Sequence, residues 1–182
     1  MKKARKLAGM LATVLASMAM VVGITGPASA SGGAGSSFHN APGTVHLQSA
    51  RSGLCIDPLT ESVDPIVLIQ YTCRNAKSQE WKDVSVIGGK WHWLMNNNSG
   101  LCMTPVDPAE PNGSKVVQEP CVDFFNNPIQ LWAEFSAGGS VVFLENYYGK
   151  CLDLENGDSS VGVEMQVWDC NFNTANQQWV KA

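Results

Sequence analysis

The apolar residues of this 182-residue chain fall into one long run and many short ones. The long run covers residues 7–24. The short runs at 45–48, 91–95 and 141–145 are rich in β-branched, aromatic and aliphatic side chains, and Gly, Asn or Ser lies close to their ends. Short runs between turn residues are typical of β-strands. After the long run, no window of about 11 residues or more has a helical apolar period. The pattern therefore predicts an all-β domain.

The long run has the organisation of a secretory signal peptide. Four cations precede it: Lys2, Lys3, Arg5 and Lys6. Pro27 follows it, and Ala28, Ser29 and Ala30 form a small-residue cleavage pattern. We therefore expect residues 1–30 to be removed and the mature protein to be secreted to the extracellular space. The alternative is an uncleaved membrane anchor, because a run of about 18 residues is near the minimum for crossing a bilayer.

Removal of the signal peptide would make the chain strongly acidic. It leaves 8 Lys or Arg residues against 16 Asp or Glu residues, a formal charge of −8. Nucleic acids and anionic lipids are bound by basic surfaces, so we expect no nucleic-acid partner and no membrane insertion of the mature protein. Residues 31–43 begin with Gly, Ser and Ala, which favours a flexible leader. The remaining residues, 44–182, suffice for one domain with one core.

Three landmarks recur in register along residues 44–182, which indicates internal repeats. Each repeat has, in its first third, a Gly two residues before a Cys: Gly53 and Cys55, Gly100 and Cys102, Gly149 and Cys151. Each ends with a Gln-x-Trp triplet: Gln79 to Trp81, Gln130 to Trp132, Gln177 to Trp179. Eight residues before each of these cysteines stands an apolar residue: Leu47, Leu94 or Phe143. The landmarks predict repeats at about 44–87, 88–137 and 138–182, each supplying about four strands to a shared core.

All six cysteines lie in the part expected to be exported, where disulfides persist. Their spacing alone does not choose among the many possible connectivities. Because equivalent repeats should close equivalent loops, we expect one disulfide in each repeat: Cys55–Cys73, Cys102–Cys121 and Cys151–Cys170. A zinc site is the rival interpretation, but Cys-x-x-Cys and His-x-x-x-His spacings are missing, and the three histidines are scattered at His39, His46 and His92. We therefore expect no metal and no cofactor.

Three repeats of this length, each with a Gln-x-Trp triplet and an inner pair of cysteines, resemble the ricin-type lectins and the bacterial carbohydrate-binding modules of family thirteen. The resemblance covers roughly residues 44–182. It implies a β-trefoil with pseudo-threefold symmetry and one potential sugar pocket in each repeat. It also implies a core position for the triplet tryptophans Trp81, Trp132 and Trp179. The function that it implies is non-catalytic binding of a carbohydrate partner, with galactose-type or xylose- and arabinose-type sugars as ligands.

The resemblance also implies which side chains form a sugar pocket. The family uses an Asp two residues after the first cysteine, with a Gln and an aromatic residue four and two residues before the second. An Asn-Gln pair, in which the Gln is the first residue of the triplet, completes the set. The third repeat has the whole set: Asp153, Gln166, Trp168, Asn176 and Gln177. We expect it to contain the best site.

The other two repeats keep less of this set. The first has Asp57, Tyr71 and Gln79, but Ile69 and Ser78 replace the other Gln and the Asn. The second has substitutions at four positions: Thr104, Val117, Glu119 and Ile129. We therefore expect a weak site in the first repeat and an inactive one in the second.

These residue types suit the chemistry of a sugar ring. The flat indole of Trp168 can cover the C–H face of a pyranose and remove apolar area from water. The carboxylate of Asp153 can accept hydrogen bonds from two neighbouring hydroxyls, and charge-assisted bonds are the stronger kind. Asn176 offers a donor and an acceptor. Gln166 and Gln177 either bind the sugar or hold the other polar groups in place.

Other functions remain open from the sequence. A glycoside hydrolase would use paired carboxylates, such as Asp153 with Glu155 or Asp169, but the sequence does not give their separation. A protein-binding trefoil, either an inhibitor or the targeting subunit of a toxin, would keep the fold and change the partner. A calcium-dependent lectin is less favoured, because residues 153–158 lack the spacing of the standard calcium loop.

Overall fold

The computed structural model describes residues 42–107, 109 and 112–182, and all of its regular structure there is β-strand or short 3-10 helix. The predicted signal peptide, and the predicted leader up to residue 41, lie outside these residues. The strands are β1 (Thr44–Ser49), β2 (Cys55–Pro58), β3 (Ile66–Tyr71), β4 (Glu80–Ile87), β5 (Trp91–Asn96), β6 (Cys102–Pro105), β7 (Ser114–Glu119), β8 (Trp132–Gly138), β9 (Val141–Asn146), β10 (Lys150–Leu154), β11 (Met165–Asp169) and β12 (Trp179–Lys181). The 3-10 helices are Leu59–Glu61, Lys77–Gln79, Pro128–Gln130, Glu155–Gly157 and Ala175–Gln177. None of the described helices is long and apolar enough to span a bilayer.

Six of the twelve strands close an antiparallel barrel. β1 pairs with β4 and β12, β5 pairs with β4 and β8, and β9 pairs with β8 and β12. The other six form the hairpins β2–β3, β6–β7 and β10–β11. These hairpins join one another through the pairs β3–β7 and β7–β11. Four strands come from each repeat, and the predicted all-β trefoil is confirmed.

The tryptophans of the three triplets lie in the centre of the fold. Trp81, Trp132 and Trp179 have no exposed surface. Each indole N–H donates to the backbone carbonyl of the residue after a first cysteine, at 3.3 Å to Ile56, 3.0 Å to Met103 and 3.1 Å to Leu152. These bonds satisfy the one polar atom of each buried ring. The triplet tryptophan thus joins the barrel to the hairpin of its own repeat.

Each repeat contains one disulfide, as the equivalence of the repeats predicted. The bridges are Cys55–Cys73, Cys102–Cys121 and Cys151–Cys170. Each joins the start of a hairpin to the segment just after it. A loop of this length contributes about 3 kcal/mol to stability in the chain-entropy model.

The predicted equivalence of Phe143 with Leu47 and Leu94 is wrong. The residue opposite the first cysteine of each repeat is Gln48, Met95 or Glu145. In the third repeat this residue is six positions before the cysteine instead of seven, because the segment between the end of β9 and Cys151 is one residue shorter than its counterparts. Leu144 therefore takes the core position, with no exposed surface. Phe143 is also buried, but it lies outside the central cluster and packs against Phe172, with ring centroids 4.9 Å apart.

Candidate functional site

The residues predicted for the third-repeat pocket converge on the β10–β11 hairpin. Asp153 lies on β10 directly opposite Gln166 on β11, and Trp168 follows on the same strand. Asn176 and Gln177 belong to the 3-10 helix Ala175–Gln177 just before β12. The alternation of a strand sends Gln166 and Trp168 to the same face. The structure therefore brings all five predicted residues to one place.

Two glutamine amides fix the carboxylate of Asp153. Gln166 Nε2 donates to Oδ1 at 2.8 Å, and Gln177 Nε2 donates to Oδ2 at 3.1 Å. The three side chains are at most 5 % exposed. Burial raises the pKa of Asp153 above its ordinary value, and the two amide hydrogen bonds oppose this rise. The result is a carboxylate in a defined orientation, with lone pairs left for further donors.

Trp168 forms an exposed wall beside this carboxylate. The side chain is 42 % exposed, in contrast to the buried triplet tryptophans. Gly113, from the second repeat, lies against its inner edge, since a Cβ built there would be 3.8 Å from Trp168 Cζ3. An aromatic ring with one open face in contact with water is suited to cover the apolar face of a ligand.

A second contact from the neighbouring repeat holds the end of β11. Asn112 Oδ1 accepts from the backbone N–H of Asp169 at 2.8 Å, and Asn112 Nδ2 donates to Asp169 Oδ2 at 2.9 Å. Lys150 Nζ donates to the same two side chains. The hydrogen bond from Lys150, followed by that from Asn112, lowers the pKa of Asp169. Asp169 is therefore ionised, and hydrogen bonds from Lys150 and Asn112 hold it next to Trp168.

Asn176 is a further polar residue that lines the cleft. Its Oδ1 atom is buried and has no hydrogen-bond partner within the described residues. The side chain packs directly on Gly157, where an added Cβ would lie 2.6 Å from both Nδ2 and Oδ1 of Asn176. An unpaired buried acceptor is costly, so a ligand hydroxyl that donates to it would be favoured.

Together these groups line an open cleft of about 620 Å³. Its lining residues are Asp153, Asn156, Gln166, Trp168, Asp169, Cys170, Asn171, Thr174, Asn176 and Gln177. The cleft combines one aromatic wall with many polar groups, which fits a small polar ring that has an apolar face. In the described part of the chain, no three His, Cys, Asp or Glu side chains are grouped as metal ligands would be.

The first repeat has a smaller cleft of about 260 Å³. Asp57 and Tyr71 line it, together with Ile69 and Arg74. Gln79 is buried and donates to Asp57 Oδ2 at 2.9 Å, as its counterpart in the third repeat does to Asp153. The acid and the ring expected from the sequence are thus close together, but an arginine shares the cleft with them.

The second repeat has no carboxylate at the corresponding position. Thr104 is 2 % exposed, and its hydroxyl accepts from Gln130 Nε2 at 2.9 Å. Glu119, on the next strand, occupies the position of the ring and is exposed. These substitutions leave the second repeat without the pair of groups that the third repeat presents.

The triplet glutamine plays the same structural part in all three repeats. Its Oε1 accepts from a backbone N–H just after the second cysteine, at Arg74, Val122 or Asn171. Its Nε2 donates to a backbone carbonyl just before that cysteine, at Thr72, Pro120 or Asp169. The bonds occur in the second repeat too, so they do not depend on a sugar pocket. For Gln79 and Gln177 this geometry favours positioning of the carboxylate over contact with a ligand.

Sequence reasoning missed several residues around both clefts. Arg74 carried no signal, because the residue after the second cysteine differs in every repeat. Asn112 and Gly113 come from another repeat, and only the threefold packing brings them to Trp168. Gly157 could have been suspected, since an Asn-Gly pair inside a repeat indicates a tight turn.

Comparison with known families identifies a match over most of the chain. The family model described as the ricin-type β-trefoil lectin domain matches residues 43–179. Among curated proteins, serine protease 1 of Rarobacter faecitabidus is 24 % identical over a 129-residue alignment, and the match covers 58 % of this chain and 25 % of that protein. The chain thus spans about a quarter of the length of that relative.

Solved structures with the same fold include designed and natural proteins. The designed threefold-symmetric protein ThreeFoil is 26 % identical, with a TM-score of 0.70 over 77 % of this chain and 99 % of that one. An exo-β-1,3-galactanase from Clostridium thermocellum is 25 % identical, with a TM-score of 0.70 over 78 % of this chain and 31 % of that one. The ricin B-like lectin of Macrolepiota procera, in complex with lactose, is 20 % identical, with a TM-score of 0.62 over 75 % and 92 % of the two chains.

Proposed function

The chain belongs to the ricin-type β-trefoil lectin family, and from this premise we propose that it is a secreted, non-catalytic lectin whose third-repeat cleft binds a sugar. The family supports a carbohydrate-binding role. The observation that carries the assignment to the third repeat is the convergence of a fixed carboxylate, an exposed indole and a free amide oxygen on one cleft. These groups belong to Asp153, Trp168 and Asn176.

Each group has a part in the proposed complex. Asp153, held from behind by Gln166 and Gln177, accepts hydrogen bonds from two adjacent hydroxyls. Trp168 covers the C–H face of the ring, and Asn176 Oδ1 accepts from a further hydroxyl. A shallow site with these contacts corresponds to a Kd on the order of 0.1–1 mM. Strong attachment would then require several copies of the protein on one polymer or surface.

The sugar is proposed to be of the galactose type or the xylose and arabinose type. Lactose is a suitable first probe, because the Macrolepiota procera lectin, which shares the fold, holds it. Galactose, xylose and arabinose should be titrated alongside lactose, followed by plant polysaccharides. Binding is measured by isothermal titration calorimetry and by NMR shifts of the Trp168 indole.

Variants at one equivalent position in two repeats provide the test. Asp153→Ala should lose at least about tenfold in affinity, because it removes a charge-assisted acceptor. Thr104→Ala, at the same position of the second repeat, is the matched control and should bind like the unmodified protein. Trp168→Ala changes an exposed side chain, so it should fold normally and also lose binding. Equal affinity of Asp153→Ala, Trp168→Ala and the unmodified protein would refute the site assignment.

A hydrolase is the second candidate, because Asp153 and Asp169 line the same cleft and their pKa values shift in opposite directions. Release of reducing sugar that disappears in Asp153→Asn would favour this function over simple binding. A protein-binding trefoil would instead bind its partner equally well in the presence of excess lactose. Sugar binding, release of reducing sugar and lactose-insensitive binding of a partner therefore distinguish the lectin, the hydrolase and the protein-binding trefoil.

A further inference from the structure

Arg74 lies on the two groups of the first repeat that correspond to the sugar-binding groups of the third. Its Nη2 atom is 2.9 Å from Asp57 Oδ2, and its guanidinium carbon is 5.1 Å from the centre of the Tyr71 ring. The same Nη2 atom is 2.7 Å from Glu61 Oε1. One arginine therefore contacts both the acid and the ring of the first-repeat cleft.

The third repeat has no such group at the equivalent position. Asn171 follows the second cysteine there, as Arg74 does in the first repeat. Asn171 is exposed, and its side chain accepts from the backbone N–H of Asn173. Among the described residues, the hydrogen-bond partners of Asp153 are two glutamines. The third cleft is about 620 Å³, against about 260 Å³ in the first.

A guanidinium shares two features with a sugar ring. It is flat, so it stacks on an aromatic face, and its N–H groups form a rim of donors for a carboxylate. Arg74 uses its flat face on Tyr71 and its donors on Asp57 and Glu61, and it has the advantage of being tethered to the protein. A free sugar has to compete with this high local concentration.

We propose that Arg74 is an internal ligand that closes the first-repeat cleft to sugars, and that the residue after the second cysteine decides whether a cleft of this fold is open. This inference rests on the proposed sugar-binding function of the third repeat. It adds a specificity-determining residue outside the predicted set, beside Ile69 and Ser78, whose substitution already predicted a weak first site.

The contacts around Arg74 indicate that this residue can be replaced without unfolding the protein. Asp57 Oδ1 and Arg74 Nε are buried and have no hydrogen-bond partner within the described residues. The guanidinium therefore does not complete a fully satisfied network. Gln79 still holds Asp57 when the arginine is removed, so we expect Arg74→Asn to fold.

NMR titration with lactose, galactose and xylose distinguishes the two clefts within one sample. In the unmodified protein, the Trp168 indole signal should shift with the bound sugar, and the Tyr71 ring and Ile69 methyl signals should not. In Arg74→Asn, which copies the third repeat, the Tyr71 and Ile69 signals should shift saturably. The affinity of the first-repeat cleft for the sugar, obtained from these signals, should be at least about tenfold higher than in the unmodified protein. Lys77→Asn removes an exposed cation of the same repeat outside the cleft, and it should behave like the unmodified protein.

Two results would overturn the inference while leaving the proposed function in place. One is a shift of Tyr71 and Ile69 in the unmodified protein with the affinity seen at Trp168. The other is a folded Arg74→Asn protein whose Trp168 signal responds and whose Tyr71 signal does not. If Arg74→Asn fails to fold, Arg74→Lys keeps a cation beside Asp57 without the flat guanidinium, and the same readouts apply. If Trp168 responds to no sugar, the proposed function itself has failed.

Discussion

Replacement of Gly157 by Ala tests the role of Asn176 without changing a side chain that would touch the sugar. Gly157 has a φ of +61°, and an added Cβ would lie 2.6 Å from Nδ2 and Oδ1 of Asn176. A contact this short does not occur in real structures, so one of the two residues has to move. The carbonyl of Gly157 accepts a hydrogen bond from Arg51 Nε, which resists movement of the backbone. We therefore expect the Asn176 amide to be displaced from the cleft.

The substitution Gly157→Ala has two separate costs, one for folding and one for sugar binding. An Ala at a left-handed φ destabilises the fold by about 1–2 kcal/mol, whatever the surrounding space. The loss of one hydrogen bond between Asn176 and a sugar hydroxyl costs about 0.5–1.5 kcal/mol of binding, which is roughly a 2- to 10-fold loss of affinity. The first cost is independent of the ligand, and the second is not.

Gly139→Ala separates the two costs. Gly139 has a φ of +59°, and an added Cβ would meet no atom within 4 Å. This variant should lose similar stability in urea unfolding and keep its affinity for the sugar in calorimetry. Gly157→Ala should lose both. Equal affinities of the two alanine variants would show that Asn176 takes no part in binding.

Two further predictions concern buried polar groups. Because burial raises the pKa of Asp153 above 3.8, sugar affinity should fall on acidification at a higher pH than an ordinary Asp would give, in calorimetry from pH 7 to about 4. The fold responds in the opposite sense: the folded state binds this proton more tightly than the unfolded state, so the contribution of Asp153 to stability rises as the pH falls through its folded pKa. Affinity that stays constant over this range would contradict the role of the ionised carboxylate. Gln130→Ala should lower the free energy of unfolding by about 2–4 kcal/mol, because the Val122 N–H and the Pro120 carbonyl lose their partner, and sugar affinity should stay unchanged. An unchanged unfolding midpoint would contradict this structural role.

The features that could be predicted from the sequence depend on short-range spacing. The Gln-x-Trp triplets, the paired cysteines and the short apolar runs recur at nearly constant intervals, and such recurrence indicates equivalent units. One disulfide in each repeat followed from that equivalence. Burial of Trp81, Trp132 and Trp179 followed from the resemblance to the ricin-type lectins. The convergence of Asp153 with Trp168 could be expected as well, because the resemblance to the ricin-type lectins assigns both to one pocket of the third repeat.

The features that could not be predicted depend on the length of a turn or on contacts between repeats. A segment shorter by one residue before Cys151 makes Leu144, and not Phe143, the counterpart of Leu47 and Leu94. A shift of one residue reverses the direction of every side chain on a strand. Because Phe143 and Leu144 are both apolar, the sequence pattern does not show which of them faces the core. Asn112 and Gly113 reach the third-repeat cleft only through the pairing of β7 with β11.

The hydrogen bonds that stabilise the fold are made by different side chains from those that face the clefts, and this explains how three related repeats can differ so much in their clefts. In each repeat the triplet glutamine bonds the backbone on both sides of the second cysteine, and the triplet tryptophan bonds the hairpin. These bonds stabilise the fold and are kept where no carboxylate is present, as at Thr104. The side chains that face the clefts contribute little to the core, so Asn171 in one repeat and Arg74 in another are compatible with the same backbone. A triplet therefore identifies a repeat of this fold, and under the proposed function the number of open clefts would depend on the acid, the ring and the residue after the second cysteine.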